Sequence, residues 1–170
     1  MRTTTPLPVE PAEPGPGQES VWDYPRPPRV EDSARHVQVW FNGVLLADSR
    51  RAKRVLETSH PPTWYIPPED VKLEHLRENE EASWCEWKGL THYYDVEVSG
   101  VRASSAAWFY QQPTRMFDEL RNYVAFYPHL MEACYVDGER VTPQAGGFYG
   151  GWITKDVAGP FKGGPGTAGW

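Results

Sequence analysis

Apolar and polar residues alternate along several short stretches of the chain, and this period of two is typical of half-buried β-strands. The clearest case is HVQVWFNGVLLADS, in which Val37, Val39 and Phe41 occupy every second position. Asn42 and Gly43 follow, and both residue types tolerate the positive φ of a type I′ turn. An apolar run then returns, so this segment predicts a β-hairpin.

Two further segments predict hairpins, because YDVEVSGVRA alternates around a Ser-Gly pair and MEACYVDGERV contains an Asp-Gly pair. TWYI lies between two Pro-Pro pairs, which exclude a helix through this region and leave room for one short strand. PEDVKLEHL permits either a helical turn from Pro68 or a short strand. Helical spacing is convincing only in TRMFDELRNYVAFY, where Met116, Phe117 and Leu120 recur and Thr114 is suited to the N-cap.

Composition supports a mainly β domain, since the 170 residues include 8 Trp, 9 Tyr, 17 Pro and 15 Gly. Residues 1–20 are Pro-rich with almost no large apolar side chain, so we expect a disordered tail. Residues 21–142 form the predicted folded domain. Residues 143–170 hold nine of the fifteen glycines together with several aromatic residues, which predicts an extended arm that packs on the domain or on a partner.

Charge and motif content argue against several functions. The formal net charge of -6 does not favour a nucleic-acid partner. The chain has no apolar run of membrane-spanning length and no signal-peptide pattern, so we expect a cytoplasmic protein without a membrane partner. Two cysteines, Cys85 and Cys134, form no C-x-x-C motif, and the five histidines show no metal-ligand spacing. We therefore expect neither a metal nor a cofactor.

The stretch SWCEWKG contains the first candidate for chemistry. On a strand, Cys85 and Trp87 share one face, whereas Lys88 points to the other face unless the chain bends at Gly89. After such a bend the ammonium group could favour the thiolate form of the cysteine. The alternative is an inert cysteine packed between aromatic residues.

A second candidate is the pair Glu57 and His60 in ETSHPP, which would form a nucleophilic triad with Cys85 if the three side chains met. The aromatic residues offer a third possibility, because strands that each contribute one or two rings can line a ligand pocket. The predicted ligand groove is walled by four aromatic residues, has polar contacts from a lysine and a glutamate, and includes the cysteine, so its residues are Tyr65, Trp87, Trp108, Tyr110, Lys88, Glu57 and Cys85. The glycine-rich segments GGFYGG and FKGGPGTAGW match no phosphate-binding motif.

Several phrases together resemble a bacterial family, the domain of unknown function DUF427, over roughly residues 37–141. They are VLETSHPPTWYIPPEDV, CEWKG, YYDVEVSG, AAWFYQQP, YVAFYP and CYVDGERV. The residues that match the recurring phrases include polar and aromatic types, namely Glu57, His60, Tyr65, Cys85, Lys88, Gly89, Trp108 and Tyr110.

The resemblance implies a small antiparallel β-tent, in which two sheets meet at an apex and separate to leave a groove. Similar folds occur in Rab exchange factors of the Mss-four type, in methionine-R-sulfoxide reductases and in the drug-binding domain of cereblon. Many of those hold zinc in paired C-x-x-C knuckles, which this sequence lacks, so we expect a zinc-free tent with one short helix and extended N- and C-terminal arms. The family implies no catalytic role for any residue.

Three functions remain open from the sequence. The first is a module that binds a small molecule or peptide in the aromatic groove. The second is an enzyme that uses Cys85 as a nucleophile or redox centre. The third is an interaction protein, with a homodimer as one possible form, whose C-terminal arm packs on another subunit.

Overall fold

The computed structural model describes residues 9–170. The predicted disorder of residues 1–20 concerns in part residues 1–8, which lie outside the described residues, and there it stays a prediction. The described end of that segment contacts the folded body, since the Ala12 N–H donates to the Gly159 carbonyl at 2.9 Å. Glu19–Ser20 also forms a short strand beside Val157–Ala158.

The described part of the chain is mainly β, as predicted, and its strands are short except for three. In chain order they are β1 (Glu19–Ser20), β2 (Arg29–Asp32), β3 (Val37–Phe41), β4 (Val44–Ser49), β5 (Lys53–Leu56), β6 (Thr63–Tyr65), β7 (Leu76–Cys85), β8 (Gly89–Val98), β9 (Val101–Phe109), β10 (Ala125–Phe126), β11 (Ala133–Val136), β12 (Glu139–Arg140), β13 (Thr142–Pro143), β14 (Trp152–Ile153) and β15 (Val157–Ala158). Single-turn or slightly longer 3-10 helices span Val21–Asp23, Pro68–Asp70, Leu73–His75, Arg115–Leu120 and Pro128–Leu130.

Two four-stranded antiparallel sheets form the body, with strand orders β10-β9-β8-β7 and β12-β11-β3-β4. A three-stranded sheet, β2-β5-β6, lies beside them. The remaining strands form the antiparallel pair β13-β14 and the parallel pair β1-β15. Several small antiparallel sheets are thus confirmed, whereas the tent-like arrangement of two sheets stays a prediction.

The predicted hairpins are confirmed by their turns. Asn42 and Gly43 adopt φ values of 44° and 78° between β3 and β4, which fits the type I′ geometry. The Ser-Gly turn before β9 and the Asp-Gly turn before β12 also have positive φ values at both residues, namely 49° and 79° in each turn. The TWYI segment is strand β6.

The predicted helix is present but shorter than its sequence pattern suggested, and it takes the 3-10 form over Arg115–Leu120. Phe117, with φ -112° and ψ 19°, interrupts the helical geometry. Phe117 and Leu120 are both buried, and because a 3-10 helix has three residues per turn, this spacing places both side chains on the face that packs on the core. The end of the segment becomes β10. The undecided segment PEDVKLEHL forms two 3-10 turns.

The main core lies between the two four-stranded sheets. It contains buried side chains from both, for example Val37 and Val39 on β3 and Val96 on β8. Trp152 of the C-terminal segment belongs to the same core. A second buried cluster is rich in aromatic residues and lies against β5, β6 and β9, with Tyr65 and Trp108 among its members. This second cluster forms the floor of the pocket described below.

Candidate functional site

A pocket with a volume of about 330 Å³ opens over the aromatic cluster. Its walls come from the β5–β6 segment, the end of β7, the β7–β8 turn, the strands β8 and β9, and the C-terminal segment. The pocket is lined by every residue that the sequence proposed for a site, namely Glu57, His60, Tyr65, Cys85, Trp87, Lys88, Trp108 and Tyr110. The structure therefore brings these residues together, while their functional roles stay predictions.

The β7–β8 turn brings Lys88 into the same pocket as Cys85. Strand β7 ends at Cys85 and β8 begins at Gly89, whose φ of 101° is a left-handed value that favours glycine. Thr114, which is distant in sequence, stabilises this turn, because its hydroxyl donates to the Trp87 carbonyl at 2.5 Å. The N–H of the same threonine donates to the Lys88 carbonyl at 3.0 Å. The bend that the sequence required at Gly89 is present.

Lys88 is a buried cation without an anionic partner in the described chain. It is 8% exposed, and its Nζ lies 5.8 Å from the ring centre of Tyr110 and 5.9 Å from that of Phe117. Lys53, by contrast, pairs with Asp32 and Glu119. Within residues 9–170, no carboxylate oxygen lies within 4.0 Å of the Lys88 ammonium group. Two aromatic faces therefore lie near this charge in place of a carboxylate.

Four aromatic rings pack against one another at the floor of the pocket. Trp108 Nε1 donates to the hydroxyl of Tyr65 at 3.1 Å, and the two rings meet edge to face at 6.1 Å. Tyr110 lies 6.3 Å from Tyr65, and Tyr127 lies 4.5 Å from Trp108. Burial raises the pKa of the Tyr65 and Tyr110 hydroxyls, so both stay protonated at neutral pH. The floor is apolar but contains hydroxyl groups.

His60, which also lines the pocket, is a neutral hydrogen-bond acceptor. Burial lowers its pKa, although the Glu57 carboxylate at 3.7 Å from Nδ1 acts in the raising direction. Its Nδ1 lies 2.9 Å from the carbonyl of Thr58, which can only accept, so Nδ1 carries the proton. In the neutral ring Nε2 is then free to accept a hydrogen bond. The tautomer is thus set by Thr58 and not by the predicted partner Glu57.

Glu57 itself is held by a cation. Its carboxylate lies 3.4 Å from Arg26 Nε, and Glu57 is partly buried whereas Arg26 is exposed. The predicted triad of Cys85, His60 and Glu57 therefore has all members at one pocket, and the same Glu57 oxygen lies 3.4 Å from Arg26 Nε and 3.7 Å from His60 Nδ1. This arrangement favours a structural or charge-balancing part for Glu57.

The C-terminal segment completes the pocket with residues that the sequence did not single out. Gln144, Phe148, Tyr149 and Lys162 line it, and the ring of Tyr149 meets His60 edge-on at 4.8 Å. The glycine-rich, aromatic composition predicted that this segment packs on a surface, but nothing local in the sequence named the surface.

The C-terminal wall lies against the aromatic floor because a glycine, which has no side chain, is at the point of contact. Gly150 has a φ of 73°, and a Cβ placed there would lie 2.5 Å from Cη2 of Trp108. Gln144 stabilises the same wall, because its Nε2 donates to the Lys162 carbonyl at 2.7 Å and its Oε1 accepts from the Gly151 N–H at 3.1 Å. The segment thus forms a fixed wall of the pocket.

Two kinds of feature are absent from residues 9–170. No group of three or more His, Cys, Asp or Glu side chains there is arranged to hold a metal ion. No helix within that range has the length and apolar character needed to cross a membrane.

Comparison with known proteins identifies the family. The family described as domain of unknown function (DUF427) matches residues 29–137, which is well over half of the chain. This span contains the β7–β8 turn and all eight residues that the sequence proposed for the site. The wall formed by residues 144–162 lies beyond it. A comparison with curated proteins gives no match. The chain belongs to the DUF427 family.

Proposed function

We propose that this protein binds a small organic molecule in the pocket between the aromatic cluster and the C-terminal segment. The observation that carries the proposal is the buried Lys88, which has no carboxylate partner in the described chain and borders an aromatic cavity. A cavity of about 330 Å³ lies at the lower end of the range of typical ligand sites, roughly 300–1,000 Å³. The expected ligand is therefore small.

The composition of the walls supports the proposal. Ligand sites combine mainly apolar and aromatic walls with a small number of polar groups that fix orientation. Here the aromatic floor carries two protonated hydroxyls, on Tyr65 and Tyr110, while His60 supplies an acceptor and Lys88 a cationic donor. A site that served only to fill the core would not need four such polar groups in one cavity.

A fragment screen tests the proposal, with ligand-observed NMR as the readout and melting temperature as the folding control. Cys85→Phe adds a ring at a half-buried position of the pocket wall and should abolish binding of the hits. Leu90→Phe is the matched control, because Leu90 is exposed on the neighbouring strand and does not line the pocket. The absence of any hit, or hits that Cys85→Phe does not affect, would contradict the proposal.

Thiol chemistry at Cys85 is the second candidate, and the observation in its favour is that Cys85, Lys88 and His60 border one cavity. The rate of alkylation of Cys85 as a function of pH tests it, with Cys85→Ser as the blank for Cys134. An activated thiolate gives an apparent pKa well below the free value of about 8.5. A value at or above that number would remove this candidate.

A further inference from the structure

We infer that the ligand of this pocket is a small aromatic monoanion, with its carboxylate bound by Lys88 and its ring held by the aromatic floor. This inference rests on the proposed binding function and specifies its ligand class. Four observations lead to it, and they concern the buried cation, the neighbouring acids, the aromatic walls and the size of the cavity.

The first observation is the unmet hydrogen-bonding capacity of Lys88. An ammonium group has three donors, and burying it is unfavourable unless it is paired or hydrogen-bonded. Within residues 9–170 its Nζ donates to no protein acceptor, and its near neighbours are the faces of Tyr110 and Phe117. No fully buried side-chain nitrogen in that range lacks a hydrogen-bond partner, so the Nζ keeps some exposure, and Lys88 lines the cavity. A carboxylate that enters the cavity would supply both the missing charge and the missing acceptors.

The second observation is that the nearby acids are not available to Lys88. Glu57 lines the cavity but is engaged with Arg26, and Glu86 is exposed at the rim. A second cation, Lys162, also lines the cavity and lies 5.4 Å above the ring of Tyr149. Two lysines thus line the cavity, while one of its two carboxylates is paired with Arg26 and the other is at the exposed rim, and this arrangement favours an anionic ligand over the quaternary ammonium groups that aromatic cages bind.

The third and fourth observations concern shape. Trp108, Tyr65 and Tyr110 meet edge to face or tilted, so they present both ring faces and ring edges to the cavity. Such surfaces favour a flat apolar group over a branched or strongly polar one. A volume of about 330 Å³ and a single buried lysine suit one ring system with one charge. The one buried cation matches the single charge of a carboxylate better than the two charges of a phosphate.

The experiment compares four probes that share a benzene ring, namely benzoate, the neutral benzamide, the cation benzyltrimethylammonium and the dianion phenyl phosphate. Binding to the full chain is followed by ligand-observed NMR and by the fluorescence of the tryptophans that line the pocket. We expect benzoate to bind at least about ten-fold more tightly than benzamide, as one charge-assisted hydrogen bond implies. Binding of benzoate should weaken with added salt.

Lys88→Met keeps the length of the side chain, removes the charge and should abolish the preference for benzoate over benzamide. Lys72→Met is the control, because Lys72 is exposed and does not line the pocket, and it should keep the preference. If Lys88→Met does not fold, the ratio of the two affinities in the unaltered protein still decides the question.

Three results would overturn the inference while leaving the proposed function intact. They are equal binding of benzamide and benzoate, stronger binding of the cation or the dianion, and a fragment screen whose hits are all neutral or cationic. A fragment screen without any hit would instead overturn the proposed function itself.

Discussion

At the scale of single residues, two buried charges are handled in opposite ways. Lys88 has aromatic faces but no anionic partner in the described chain, whereas Asp95 has several hydrogen-bond donors. The Asp95 carboxylate accepts from Arg102, from the Ser105 N–H at 2.9 Å and from Asn79 Nδ2 at 2.8 Å. A buried charge whose hydrogen bonds are all made by the protein stabilises the fold. A charge that lies beside a cavity without such partners is available to bind a ligand.

Asp95 makes stability depend on pH in a definite direction. The Arg102 guanidinium, followed by the Ser105 N–H, lowers the pKa of Asp95 from its ordinary value of 3.8 to about 2. Because the folded state favours the ionised form, this stabilisation is complete above about pH 4 and is lost as the pH falls towards 2. Asp95→Asn should lower the free energy of unfolding at pH 7 by about 1.5–3 kcal/mol. Urea denaturation at pH 7, 4 and 2 measures both effects.

The variant should also lose less stability than the unaltered protein between pH 4 and 2, since it lacks the titrating group. Asp118→Asn is the control, because Asp118 pairs with Arg121 on an exposed surface and should change stability by less than about 0.5 kcal/mol. Equal effects of the two substitutions at pH 7 would contradict the structural role of the Asp95 network.

At the scale of elements, the β7–β8 turn determines where Lys88 and Trp87 lie. The sequence indicated a bend at Gly89, but the residue that fixes the turn is Thr114, more than twenty positions away. Thr114→Val removes the hydroxyl that donates to the Trp87 carbonyl and keeps the N–H that donates to the Lys88 carbonyl. We expect a loss of about 0.5–1.5 kcal/mol in unfolding free energy and weaker benzoate binding.

Calorimetry and the binding assay described above measure these two quantities. Thr142→Val, at an exposed position of β13, should leave both nearly unchanged. If Thr114→Val bound benzoate as the unaltered protein does, the turn would not depend on the threonine hydroxyl.

Local patterns predicted the hairpins and the pocket residues that lie within residues 57–110, but neither the length of the helix nor the C-terminal wall of the pocket. Asn42 and Gly43 determine their hairpin because the turn type depends on those two residues alone. The sequence predicted a longer helix after Thr114 than the structure contains. The helix is short because burial of Phe117 and Leu120 fits a 3-10 turn and because the residues that follow pair as β10 with β9. The wall that contains Gly150 could not be located, because its contact with Trp108 joins positions far apart in the sequence.

At the scale of the whole molecule, the C-terminal segment is both a pocket wall and part of the main core. Tyr149 and Lys162 border the cavity, while Trp152 is 1% exposed in the core between the two large sheets. The sequence left open whether this segment packs on its own domain or on a partner, and these contacts lie within one chain. Self-association of the protein stays a prediction.

Two aromatic residues of this segment lie four positions apart, and one is buried in the core whereas the other is exposed at the surface. Trp152 lies 6.3 Å from Trp64, and its Nε1 donates to the Phe126 carbonyl at 3.1 Å. Trp152→Ala should therefore lower the free energy of unfolding by about 3–5 kcal/mol, since it opens a cavity and leaves a buried acceptor unpaired. Phe148→Ala removes a ring that is 69% exposed and should cost less than about 1 kcal/mol. Urea denaturation followed by circular dichroism compares them, and equal stability of the two variants would show that the main core does not depend on the Trp152 ring.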